Sequence, residues 1–127
     1  MLKGLHHAAI ICADYPKSKY FYQHILQLKV ISEHYRAERD SYKLDLALPD
    51  GSQIELFSFN NPPQRVSYPE ACGLRHLAFR VESIENMVTY LTEQGVMVEP
   101  IRIDEYTQKA YTFFSDPDGL PLEIYQE

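Results

Sequence analysis

The pattern of apolar and polar positions predicts that the chain contains one β-α-β-β-β unit and then repeats it. Residues 5–12 are small and β-branched apolar residues without a breaker, which is typical of a strand. Apolar side chains at helical spacing follow, over residues 15–28. Three further strands are predicted at 29–35, 42–48 and 53–59, and the second of them alternates apolar and polar residues as a half-buried strand does.

The predicted helix of this first unit has a defined start. Asp14 can cap it, and Pro16 suits its first turn. Phe21, Ile25 and Leu28 form its apolar stripe. We therefore expect this helix to cover one face of a sheet.

The same order of elements restarts after residue 72. A strand is predicted at 74–81, and a helix then begins after Ser83 and stops at Gly95. The remaining strands are predicted at 96–103, 109–115 and 120–125.

Residues 60–72 contain three prolines and no periodic pattern, which indicates a linker. The chain is thus interpreted as a single domain, 1–127, made of a first module at 4–59 and a second at 73–126. A module of about 60 residues is marginal on its own. We therefore expect the modules to pack on each other or on those of a second chain.

Two short motifs recur in the same order. The segment 4–7 (GLHH) matches 73–76 (GLRH), so that His7 and His76 are 69 residues apart. The segment 49–57 (PDGSQIELF) matches 117–125 (PDGLPLEIY), so that Glu55 and Glu123 are 68 residues apart. Each module therefore carries one histidine and one glutamate at equivalent places.

Strand alternation places these residues away from the predicted helices. His7 shares a face with Ala9, whereas the preceding His6 is expected to point to the opposite face. Glu55 lies in mid-strand between the apolar residues Ile54 and Leu56. Burial of its carboxylate there costs free energy unless the charge is paired or bound to a cation.

The repeated set His7, Glu55, His76 and Glu123 predicts a site for one divalent metal ion. Mixed nitrogen and oxygen ligands suit nickel, cobalt or zinc, and manganese or iron also fits. Two histidines and two glutamates leave two positions of an octahedral ion open to water or substrate. The alternative is a buried polar network without metal.

Composition narrows the function class. The net charge is −6 and no basic cluster occurs, which argues against a nucleic-acid partner. No apolar run approaches the roughly 20 residues of a membrane span, and the N-terminus lacks a signal-peptide core. We therefore expect a cytoplasmic protein without membrane contact. Cys12 and Cys72 show no metal-type spacing and are expected to be small buried hydrophobes.

These segments resemble the vicinal oxygen chelate superfamily and, within it, the glyoxalase I (lactoylglutathione lyase) group. Residues 7–10 (HAAI), with Asp14 and the pair 21–22 (FY), are similar to the group's first ligand strand and helix. The other three ligand strands are matched by 54–56 (IEL), 73–79 (GLRHLAF) and 116–123 (DPDGLPLE). The resemblance covers nearly the whole chain and fills all four ligand positions. One departure is Gln27, which stands where the glyoxalase I signature usually has glycine.

The resemblance implies an α+β protein with the glyoxalase/bleomycin resistance/dioxygenase fold. In it, two βαβββ modules form a curved mixed sheet around a metal cavity. It also implies a homodimer, whose site takes His7 and Glu55 from one chain and His76 and Glu123 from the other. The alternative, in which all four ligands come from one chain, is not excluded by the sequence.

The resemblance further implies a metal-dependent lyase or isomerase that acts on a small molecule in methylglyoxal detoxification. It would convert the hemithioacetal of a 2-oxoaldehyde and a thiol to a thioester through an ene-diolate. Glu123 is implied as the base that moves the proton, with Glu55 as the alternative. Four filled ligand positions favour this chemistry, since antibiotic-binding relatives lack the metal.

Two other functions stay open. One is a different reaction on the same scaffold, such as epimerisation or ring cleavage by a dioxygenase, which Gln27 keeps open. The other is a non-catalytic small-molecule binding or resistance protein. Arg39, Lys43 and Tyr111 are the candidate substrate-binding residues. For these, simple solvation, an ion pair between Lys43 and Asp45, or plain packing are the alternatives.

Overall fold

A computed structural model describes all 127 residues and divides them into two compact units, Met1–Gln64 and Arg65–Glu127. The division falls inside the predicted linker at 60–72. Each unit contains one four-stranded mixed sheet and one helical segment between its first two strands.

Unit 1 has the predicted β-α-β-β-β order. Its elements are β1 (His7–Cys12), α1 (Tyr15–Tyr20), β2 (Lys29–Arg36), β3 (Ser41–Ala47) and β4 (Gln53–Ser58). The strand order in the sheet is β1-β4-β3-β2. The β1–β4 pair is parallel, and the other two pairs are antiparallel. The first strand is therefore hydrogen-bonded to the last, which brings the start of the chain beside β4.

The helical segment of unit 1 begins as predicted. The Asp14 side chain accepts a hydrogen bond from the backbone N–H of Lys17 at 3.2 Å, which satisfies one free donor of the first turn. After Tyr20 the helix widens into a π-helix, Phe21–Ile25. Gln27 then adopts φ 58°, a left-handed conformation that glycine adopts more easily. Gln27, the departure from the glyoxalase I signature, thus lies at a backbone position that favours glycine.

Unit 2 repeats the order. Its elements are β5 (Leu77–Val81), α2 (Ile84–Glu93), β6 (Arg102–Ile103), β7 (Ala110–Ser115) and β8 (Pro121–Gln126). The strand order β5-β8-β7-β6 is that of unit 1, again with a parallel pair between first and last strands. The predicted α+β class with two βαβββ modules is confirmed.

The predicted strand over 96–103 is wrong for most of its length, because only Arg102 and Ile103 pair with β7. Pro100 has no N–H to donate to a sheet. The Thr112 hydroxyl instead donates to the carbonyl oxygens of Glu99 and Pro100, at 2.7 and 3.2 Å. Together with the hydrogen bond from the backbone N–H of Glu99 to the carbonyl oxygen of Phe113 at 3.0 Å, this side chain of β7 holds the segment beside the sheet without a regular strand.

Each sheet buries one face under its helix. In unit 1 this face carries Leu44, Leu46, Ile54 and Leu56, all 2% exposed or less. In unit 2 the buried apolar residues are Ile84, Leu91, Phe114, Leu120, Leu122 and Ile124. The opposite face of each sheet holds the predicted metal ligands.

The two cysteines differ, since Cys12 is buried as expected whereas Cys72 is exposed. Cys72 precedes the first strand of unit 2 and packs in neither core. None of the helices has the length and apolar character that crossing a membrane requires.

Candidate metal centre

The first predicted ligand pair is brought together by neighbouring strands. His7 begins β1 and Glu55 lies in the middle of β4, and Ala9 is the register partner of Glu55. His7 Nε2 is 3.4 Å from Glu55 Oε1. The Glu55 side chain is only 15% exposed, and its neighbours Ile54 and Leu56 are buried in the core behind it. The carboxylate therefore lies partly desolvated beside an imidazole.

The second pair has the same construction in unit 2. Ala78 is the register partner of Glu123, and His76 precedes it by two residues, as His7 precedes Ala9. His76 Nε2 is 3.0 Å from Glu123 Oε1, and the Glu123 side chain is 13% exposed. The His76 ring also packs edge-on against Phe113, with ring centroids 5.0 Å apart. The sequence repeat is thus a repeat of side-chain geometry.

The four predicted ligands form two separate contacts, His7 with Glu55 and His76 with Glu123. No group of three or more His, Cys, Asp or Glu side chains is placed to hold a metal ion. The donor chemistry of each pair suits one half of a metal site, because imidazole nitrogen and carboxylate oxygen are both ligands for zinc and similar ions. A mid-strand carboxylate whose nearest partner is an imidazole is also the arrangement that a bound cation would stabilise.

The surroundings of the two glutamates differ. Asp45 is the register partner of Glu55, so two carboxylates stand directly opposite each other on this face. Lys43 lies beside both, with Nζ 2.9 Å from Asp45 Oδ2 and 3.8 Å from Glu55 Oε2. The ion pair with Asp45 predicted as an alternative for Lys43 is therefore present.

Hydrogen bonds favour the charged forms of both Lys43 and Asp45. The bond to Asp45 raises the pKa of Lys43 above its usual range. Partial burial raises the pKa of Asp45, but the hydrogen bonds from Lys43 and Ser32 outweigh it and hold that pKa below its usual range. Lys43 and Asp45 are therefore both charged near neutral pH.

Glu123 faces aromatic residues instead. Its register partner is Phe113, and Tyr111 is paired with Tyr125 one step along the same face. The rings of Tyr111 and Tyr125 stack with centroids 6.4 Å apart. The Tyr125 hydroxyl donates to Asp104 Oδ2 at 3.0 Å, which holds that ring in place. Lys43 and Tyr111 thus occupy equivalent positions on the ligand faces of their sheets, and one is charged where the other is aromatic.

Arg39 lies in the exposed turn between β2 and β3. Its backbone N–H donates to the carbonyl of Arg36 at 3.1 Å, which closes this turn. A substrate role for Arg39 stays a prediction.

His6 contacts His7, one of the predicted ligands, and strand alternation did not reveal this contact. Their Nδ1 atoms are 2.9 Å apart, and their rings pack edge-on with centroids 5.1 Å apart. Alternation does not apply because β1 begins only at His7. One of the two Nδ1 atoms must donate. When it is that of His7, the lone pair of His7 remains on Nε2, the atom beside Glu55.

We expect His6→Ala to weaken divalent-metal binding by about tenfold, the lower end of what loss of an outer-shell partner costs. The imidazole of His7 would lose the group that fixes its orientation. Titration of the metal-free protein with zinc, by calorimetry, measures this change. His6→Asn restores an acceptor oxygen and should recover most of the affinity. Equal affinity in all three proteins would show that His6 does not position His7.

Comparison with known proteins assigns the chain to a family. Residues 4–124 match the profile of the Glyoxalase/Bleomycin resistance protein/Dioxygenase superfamily. The chain belongs to this superfamily.

Individual relatives agree with the assignment to the superfamily. Protein YwkD of Bacillus subtilis (strain 168) is 58% identical over 127 residues, covering 100% of this chain and 99% of its own. The crystal structure of a glyoxalase family protein from Enterococcus faecalis is 49% identical with a TM-score of 0.91, and 97% of each chain is covered. The Metallothiol transferase FosB of Staphylococcus saprophyticus is 26% identical, covering 98% of this chain and 78% of its own. The superfamily thus includes an enzyme named for both a metal and a thiol.

Proposed function

We propose that this superfamily member is a metal-dependent lyase or isomerase of the glyoxalase I kind. It would convert the hemithioacetal of a 2-oxoaldehyde to a thioester. The observation that carries the proposal is the repeated His–Glu pair, with the same register offset and partly desolvated carboxylate in both units.

His7, Glu55, His76 and Glu123 would together hold one divalent ion, with nickel, cobalt or zinc as the best candidates. When bound, such an ion supplies Lewis-acid stabilisation for negative charge on the substrate oxygens. We further propose that the protein is a homodimer in which each site combines the unit 1 pair of one chain with the unit 2 pair of its partner.

Glu123 is the better candidate for the base that moves the proton. Only its Oε1 contacts His76, and no hydrogen bond or ion pair engages Oε2. Both oxygens of Glu55 have neighbours, His7 at 3.4 Å and Lys43 at 3.8 Å. Glu123 is therefore free to accept a proton from one substrate carbon and return it to the adjacent carbon.

The residues around the glutamates have roles that follow from their chemistry. Phe113, Tyr111 and Tyr125 would limit the access of water to Glu123, which keeps the transferred proton from exchanging with solvent. Lys43 would hold Glu55 in its ligand orientation through the 3.8 Å contact. Tyr111 and Arg39 remain the candidates for substrate contact.

The test is a direct assay. Metal-loaded protein is mixed with methylglyoxal and glutathione, and then with other cellular thiols, while thioester formation is followed. We expect a thioester with at least one thiol. If none formed with any thiol across nickel, cobalt, zinc and manganese, this proposal would fail and only the superfamily assignment would remain.

A second candidate is thiol transfer to an electrophilic small molecule, which the similarity to the Metallothiol transferase FosB favours. The two reactions share the thiol and the metal but differ in product. Consumption of free thiol by an electrophile, without thioester formation, would favour transfer over isomerisation.

A further inference from the structure

Arg36 is a charged residue on the ligand face of unit 1 that the proposed chemistry does not use. It ends β2, and its guanidinium carbon lies 4.9 Å from the ring centroid of Phe57 and 5.9 Å from that of Phe59. Phe57 follows Glu55 by two residues on β4 and therefore shares its face. The guanidinium is thus held by aromatic packing on the same side of the sheet as the unit 1 ligands.

Most N–H donors of Arg36 have no acceptor within the protein. Nη2 donates to the Ser41 hydroxyl at 3.0 Å. Nε is buried and donates to no acceptor, and no carboxylate forms an ion pair with the side chain. A guanidinium has five donors, and a buried donor without an acceptor is costly, most of all in a charged group. No carboxylate of this chain is placed to pair with the guanidinium, and its buried Nε has no acceptor within the protein.

The neighbouring cation, Lys43, has carboxylate partners, whereas Arg36 has none. Lys43, the register partner of Phe57, forms an ion pair with Asp45 at 2.9 Å. In unit 2, Arg102 also packs over an aromatic ring, that of Tyr111. Unlike Arg36, however, it has a carboxylate partner, because its Nη2 is 3.3 Å from Glu99 Oε1. Of these three cations, only Arg36 lacks a carboxylate.

We propose that Arg36 binds an oxoanion of the small-molecule substrate or of its thiol partner, a carboxylate or a phosphate-type group. Because Nε is buried, the two terminal Nη groups of the planar guanidinium supply the paired N–H donors that match two oxygens of such a group. Its packing on Phe57 and Phe59 fixes the plane of those donors. The inference deepens the proposed function, which leaves the charge of the substrate open, and it predicts an anionic substrate.

The test measures anion binding without metal, so that it does not depend on the proposed reaction. Inorganic phosphate, methylphosphonate and succinate are titrated separately into EDTA-treated protein by calorimetry. The variants are Arg36→Gln and Arg36→Lys. Arg80→Gln is the matched control, because it removes the same charge from a side chain that is 69% exposed on β5. Circular dichroism melting checks that each variant is folded.

We expect the wild-type protein and Arg80→Gln to bind at least one anion equally. Arg36→Gln should bind it about tenfold more weakly or worse, the loss expected for a charge-assisted pair of hydrogen bonds. Arg36→Lys should have an intermediate affinity, since it keeps the positive charge but loses the paired N–H donors of the guanidinium. Preference for methylphosphonate or phosphate over succinate would identify a phosphate-type group, and the reverse a carboxylate.

Two results would overturn the inference. One is that no anion binds to the wild-type protein, and the other is equal loss in Arg36→Gln and Arg80→Gln, which would indicate a general charge effect. Zinc affinity is measured in parallel and should be unchanged in Arg36→Gln. Failure of metal binding in the wild-type protein would contradict the proposed function while leaving the anion result readable.

Discussion

Glu123→Gln is expected to lower kcat for thioester formation by roughly 10²–10⁴-fold, the usual contribution of a positioned general base. Glutamine has the same shape and keeps one oxygen to face His76, but it cannot accept the substrate proton at neutral pH. The loss should therefore appear in kcat with the fold intact. The assay is run at saturating metal, with the metal content of each sample measured.

Glu55→Gln is the matched control for this prediction, because it makes the same change at the equivalent position of unit 1. We expect it to weaken metal binding and to retain more activity than Glu123→Gln once metal is saturating. The reverse order of the two activities would assign the base to Glu55, the alternative that the sequence left open. Equal activity of Glu123→Gln and wild type would exclude Glu123 as the base.

His7→Ala and His76→Ala are each expected to lower the affinity for a divalent ion by more than about 100-fold. This exceeds the range for loss of an outer-shell partner, since a ligand itself is removed. Calorimetric titration of the metal-free proteins with zinc measures the effect. His24→Ala is a control that removes an imidazole outside the proposed ligand set. Retained affinity in either ligand variant would remove that histidine from the set.

The same two variants decide whether the site is shared between chains. In a mixed dimer of His7→Ala and His76→Ala subunits, a shared arrangement leaves one site with all four ligands and destroys the other. Random exchange in an equal mixture would then restore about one quarter of the wild-type sites. A site within one chain would show no recovery, because each chain lacks one ligand. A protein that sediments only as a monomer would also exclude the shared arrangement.

Much of the fold followed from local signals. The Asp14 cap, the Ser83 cap and the alternation over β3 predicted elements that the structure contains. The strand at 96–103 failed because a run of apolar residues does not reveal that Thr112 binds the carbonyls of Glu99 and Pro100. That contact joins residues more than ten positions apart, and no periodicity records it.

The candidate site was predictable to the level of pairs. The repeat offsets and strand parity placed one histidine and one glutamate on the same face of each module, and the resemblance grouped them as pairs that the structure brings into contact. Their role as metal ligands stays a prediction. The contact between His6 and His7 depends on where β1 begins, and strand boundaries are poorly encoded in sequence. The unpaired guanidinium of Arg36 depends on which partners are absent, which only a structure shows.

The central claim is that His7, Glu55, His76 and Glu123 bind one divalent ion together. The most direct measurement is the anomalous diffraction of crystals grown from zinc-loaded protein. The account predicts one zinc peak per set of four residues, about 2.0–2.2 Å from the two histidine nitrogens and the two carboxylates. Crystals from a metal-replete preparation that show no ion, with the four side chains apart, would contradict it.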